Sequence, residues 1–152
     1  MTYDDLCVEY QSEVTVFEHG IQIECENLGI YGVKGLYKNK CIAIDRYINR
    51  REKKCTLAEE LGHHYTSTGN VLDLRYSNNS KQERIAREWA AKKLICYDDF
   101  AKACEIYNND IYLIAEELDV TYEVIETYYT YLYRTHSNIN PHRWSFEKCE
   151  FR

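Results

Sequence analysis

No two cysteines in this chain stand at the CxxC spacing, so a thiolate zinc ribbon is not indicated. The seven that occur (Cys7, Cys25, Cys41, Cys55, Cys96, Cys104 and Cys149) are odd in number and widely spread, which argues against a disulfide framework and for reduced thiols. No apolar run approaches the roughly 20 residues of a membrane helix. The opening MTYDDLCVEY is acidic where a signal peptide is basic and then apolar, so the expected location is cytoplasmic, with no membrane partner. Proline is nearly absent; the single one, Pro141, falls in the tail HSNINPHRWSFEKCEFR. Lys and Arg are missing altogether from residues 1–30, which carry seven acidic residues, whereas residues 31–55 hold eight basic and two acidic ones. With a net charge of −6 the chain lacks the clustered cations whose counterion release drives binding to nucleic acid, so protein or peptide partners are expected instead.

What is present is ordinary globular composition: 45% hydrophobic and 29% charged residues in 152 positions, enough for one core. Thr2 followed by Asp5 marks a helix start, with Leu6, Val8 and Tyr10 in a short helix over residues 1–12. VTVFEHGIQIE then alternates β-branched and aromatic residues with Gly20 as a turn, and GLYKNKCIAID shows two apolar arms around Lys38-Asn39-Lys40. Residues 13–46 are therefore expected to form a small antiparallel sheet. From residue 50 the periodicity is helical, with spans 50–67, 81–96, 98–108, 110–118 and 121–135 separated by breaks such as STGN and YSNNS, and a tail over 136–152 that Trp144 and Phe146 are suited to pin. The class is α+β: a small sheet in the N-terminal third packed on a mainly helical body, expected as a single domain over 1–152.

The stretch CTLAEELGHHYTSTGN carries the chemistry. Side chains four apart project from one helical face, so Glu59 and His63 can grip a single ion, and Glu60 then falls where a zinc protease keeps its general base. At about 100° per residue, Leu57, Ala58, Leu61 and Tyr65 form the core stripe, with Glu59 and His63 nearly opposite. Gly62, costly in mid-helix by about 1 kcal/mol against alanine, implies close approach by another element. The helix KQERIAREWAAKKLI offers Ala86 and Ala90 as a small face with Glu83 at its N-terminal end, a candidate third ligand, with water in the fourth position. The bland alternative is a solvated surface, where Glu and His four apart form an ordinary pair. A register using Glu60 and His64 puts Leu61 in the base position, which cannot accept a proton. His64 and Tyr65 are candidate oxyanion donors, Asp73 a candidate partner orienting His63, and His19, His136 and His142 read as surface or capping residues.

LAEELGHHYTSTGN followed by ERIAREWAAKKLI resembles the ImmA/IrrE family of metallo-endopeptidases, in particular short members carried by phages and integrative elements. The likeness extends from GLYKNKCIAID through NRREKK to IAEELDVTYEVIETYY, roughly residues 30–135. Glu83, Ala86, Trp89 and Ala90 match the family's second helix; Glu59 departs from the HExxH pattern by replacing the first histidine. The resemblance implies a zincin-like active-site helix, Zn²⁺ held by Glu59, His63 and Glu83, Glu60 as catalytic base, and cleavage of a helix-turn-helix repressor. Two histidines and one carboxylate leave a Zn²⁺ site at +1, whereas these three leave it neutral, which makes a bound water a weaker acid and lets Mn²⁺ compete. A protein that binds a repressor without cutting it is the main alternative. A DNA-reading role for residues 114–132 is the lesser one, because the second helix there offers Glu123 and Glu126 and no cation before Arg134.

Overall fold

Thr2 opens the first helix, α1 (Tyr3–Tyr10), through a reciprocal cap: its hydroxyl accepts from the Asp5 amide at 3.2 Å, and Asp5 Oδ2 accepts from the Thr2 amide at 2.7 Å. The computed structural model that shows this describes residues 1–27, 31–66 and 79–135. The buried face of α1 is Tyr3, Leu6 and Tyr10, at helical spacing; Val8 is 63% exposed because its position in the turn faces outward.

The elements continue as β1 (Thr15–His19), α2 (Ile21–Asn27), β2 (Gly35–Lys38), β3 (Cys41–Asp45), α3 (Arg50–Thr66), α4 (Asn79–Leu94), α5 (Tyr97–Ile106), α6 (Ile111–Glu117) and α7 (Tyr122–Thr135). The sheet has the order β1-β3-β2. Its β2–β3 hairpin closes through two residues, Asn39 and Lys40, both with positive φ (50° and 65°), the geometry of a tight hairpin turn that follows the natural twist of the strands.

The expected antiparallel sheet is corrected on one point. β1 runs parallel to β3, in the register Thr15↔Cys41 to His19↔Asp45, so the sheet is mixed. Parallel neighbours cannot be joined by a tight turn; the antiparallel strand β2 carries the chain back to the starting end, and IQIECEN lies in the connection from β1 to β2 as the helix α2. Ile21 is buried and Ile23 is 54% exposed, a one-sided pattern that the alternation of isoleucines disguised as a strand.

Two apolar clusters flank α3 and α4. One unites Leu6, Ile42, Ile44, Leu57 and Leu61 between α1, the sheet and α3; the other gathers Phe100, Ile114, Val120, Ile125 and Tyr128 under α5, α6 and α7. The second cluster is tied to α3 by polar contacts. Lys54, only 4% exposed, places Nζ 2.6 Å from Asp119 Oδ2 in the α6–α7 turn, and the Thr121 amide donates to Cys55 Sγ at 3.4 Å. A buried ammonium needs its partner. Asp119→Ala is expected to cost about 1–3 kcal/mol by urea unfolding, while Lys54→Met, which removes the charge along with the bond, costs less. Equal losses from the two would mean that the ion pair is not what matters there. Trp144 and Phe146, with all of 136–152, lie outside the described residues. No helix among the described residues is long and apolar enough to cross a membrane.

Candidate metal centre

α3 and α4 pack against each other in opposite directions, matching Glu59 with Arg87, Gly62 with Ala86 and His63 with Glu83. What allows the approach is Gly62: a β-carbon there would stand 2.4 Å from the Ala86 carbonyl oxygen and 3.0 Å from its α-carbon. Ala86 is fully buried and Ala90 nearly so, completing a seam of small residues.

Across this seam Glu83 Oε1 comes within 3.6 Å of His63 Nε2, although 20 residues separate them in the chain. One ligand atom from each of Glu59, His63 and Glu83 lies within 4.8 Å of the others. Ligands about 2 Å from a tetrahedral ion stand about 3.3 Å apart, so side-chain rotations of roughly an ångström close the triangle. Two carboxylate oxygens and an imidazole nitrogen suit Zn²⁺ or Mn²⁺ by donor type. The contact between His63 and Glu83 raises the imidazole's proton affinity against the opposing effect of burial, and the same contact holds the Glu83 carboxyl below its usual range.

Glu60 points toward the sheet. A β-carbon on Gly35 of β2 would lie 2.7 Å from Glu60 Oε1 and 3.0 Å from its Cγ, so the carboxylate rests against strand backbone that only glycine leaves open. Burial pushes the Glu60 carboxyl up to about 7, with His63 opposing and the Glu59 and Glu83 carboxylates adding to the rise. A carboxyl titrating near neutrality is matched to general-base work.

His64 shares a 2.8 Å hydrogen bond through Nδ1 with the Tyr37 hydroxyl, and its Nε2 is 4.0 Å from Glu13. The Tyr65 hydroxyl donates to Glu13, and its ring stacks on Trp89 at 5.2 Å; at 43% exposure Tyr65 is a rim residue rather than part of the core stripe. Both candidate oxyanion donors are thus held by partners on β2 and in the turn between α1 and β1. His19 ends β1. Asp73, His136 and His142 fall outside the described residues.

Two contributors were not singled out from sequence. Gly35 carried a signal, a glycine at the start of an apolar strand arm. Arg87 carried another, its place four residues after Glu83. Its Nε donates to Glu59 Oε1 at 2.8 Å and its Nη2 is 3.7 Å from Glu83 Oε2. Beside this pair opens a cleft of about 320 Å³ between α3, α4 and α7, lined by Thr56, Glu59, Arg87, Thr121, Glu123 and Glu126 among others.

The family of the IrrE N-terminal-like domain, Peptidase_M78, matches residues 17–127, a span that runs from within β1 into the first part of α7 and contains all four residues of the predicted site. No curated protein and no solved structure matches the chain.

Proposed function

The chain belongs to the Peptidase_M78 family of IrrE N-terminal-like domains, and from that premise we propose that it is a metal-dependent endopeptidase that cleaves a helix-turn-helix repressor of a phage or mobile element. In this reading Glu59, His63 and Glu83 hold Zn²⁺, or Mn²⁺, and Glu60 is the general base. The observation that carries it is the 3.6 Å approach of Glu83 to His63 across two helices, an expensive juxtaposition built on a glycine.

A divalent ion held by these three side chains supplies a Lewis acid that polarises the scissile carbonyl and acidifies the attacking water. Glu60 does the proton work. Its carboxylate takes the proton as water oxygen bonds to the carbonyl carbon, and delivers it to the leaving nitrogen as the C–N bond breaks. The cleft beside Glu59 offers room for a substrate side chain next to the reacting centre.

The test combines metal content with repressor fate. Purified protein is expected to carry about one divalent ion per chain, lost in His63→Ala and in Glu83→Ala, and co-expression with the repressor encoded beside its gene should yield two fragments that chelation prevents. A second reading has its own support. Arg87 already pairs with Glu59, so the site is partly neutralised without an ion, as expected of a module that binds a repressor without cutting it. Intact repressor, bound equally by wild type and Glu60→Gln, would establish that reading over the peptidase.

A further inference from the structure

Glu59 is held by a cation from the helix opposite. Arg87 stands one turn beyond Glu83 on α4, donates Nε to Glu59 Oε1 at 2.8 Å, and turns Nη2 toward Glu83 Oε2 at 3.7 Å. The guanidinium therefore reaches both carboxylates of the triad at once, a planar fork suited to spanning two acids in a way a lysine is not. A carboxylate has two oxygens, so Glu59 can keep Arg87 on one and offer the other to a metal.

We propose that Arg87 is the positioning residue of this centre, fixing the Glu59 carboxylate and supplying the positive charge that a carboxylate at position 59 takes away. Two carboxylates and a neutral imidazole cancel the charge of a divalent ion; Arg87 brings the total to +1, the value that two histidines and one carboxylate give. Glu59 and Arg87 thus act as a unit, and the inference rests on the metal-site reading above.

The charge of Arg87 pulls metal affinity in a direction that a structural role does not. Without the guanidinium, two adjacent carboxylates face the ion with no competing cation, so a divalent ion should bind more tightly even as Glu59 loses its anchor. A residue that merely braces α3 against α4 would, on removal, loosen the triad and weaken binding.

The experiment measures Zn²⁺ dissociation constants by competition with a chromophoric chelator for wild type, Arg87→Met, Arg87→Gln and Arg87→Lys, with circular dichroism confirming the fold of each. Arg87→Met and Arg87→Gln are expected to bind Zn²⁺ roughly tenfold more tightly, equivalent to about 1.4 kcal/mol, with Arg87→Lys shifted less than either because the charge remains although the fork is lost. Unchanged or weaker binding in both neutral variants, with wild type still holding its ion, overturns the role of Arg87 and leaves the metal site standing. Absence of Zn²⁺ binding in all four proteins overturns both. Binding gained only by the neutral variants overturns the positioning role as well, because Arg87 would then hold the place of the metal, and it counts against the peptidase reading.

Discussion

Glu60→Gln is expected to lower peptide hydrolysis by two to four orders of magnitude, about the range general-base catalysis contributes, while the protein keeps its divalent ion. The amide fills nearly the same volume against Gly35 but cannot take the proton. Retention of metal is the diagnostic part, since it separates loss of the base from loss of the site. The same substitution has a thermodynamic signature in the metal-free protein. The folded-state carboxyl is raised from its ordinary 4.5 to about 7, chiefly by burial, so the folded chain holds this proton where the unfolded chain has released it. Below pH 4.5 both states are protonated and there is no penalty. Between 4.5 and 7 the penalty grows, and above 7 it is complete, at most about 3 kcal/mol and less to the extent that solvent reaches the group. Glu60→Gln should therefore be more stable than wild type in denaturant at pH 8 with a chelator present, with the advantage shrinking toward pH 4.5. A variant that is less stable at both pH values would show that Glu60 is not held against its charge.

Why these residues were readable, and others not, follows from the range over which each interaction acts. Helix starts and hairpin turns are local: the Thr2–Asp5 cap and the Asn39–Lys40 turn involve residues within three positions of one another, and both appear where the sequence indicates. The glycine at 62 was legible because its cost on a helix has to be repaid by a contact, and the Ala86–Ala90 face identified the contacting helix. The helix α2 was not legible. Ile21 and Ile23 fit a strand period, and the strand order β1-β3-β2, which leaves this segment out of the sheet, is a relation between distant segments. Arg87 escaped for a similar reason. Its spacing from Glu83 marks a pair on one helix surface, but its stronger bond, to Glu59, depends on how α4 is rotated against α3. The occupation of His64 by Tyr37 likewise needs the hairpin folded over the helix.

The interhelical distance that makes the centre possible is exposed to one further test, at a residue that touches no ligand. On an open helix surface Gly→Ala stabilises by up to about 1 kcal/mol. At Gly62 the new methyl would meet the Ala86 carbonyl oxygen at 2.4 Å and its carbon at 2.9 Å, and neither atom can turn aside, because both belong to the hydrogen-bonded backbone of α4. The helices must separate, opening a gap along a seam of fully buried side chains that includes Leu61 and Ala86. Gly62→Ala is expected to destabilise by roughly 2–3 kcal/mol despite its better helix propensity, and Gly62→Leu to prevent folding. Because separation carries Glu83 away from His63, Zn²⁺ affinity should fall in Gly62→Ala at temperatures where the protein is still folded. The clash is with backbone, so trimming the opposing side chain with Ala86→Gly should not restore either property. Restoration by that second substitution, or a Gly62→Ala protein as stable as wild type, would mean that α3 and α4 do not approach as closely as the shared ion requires.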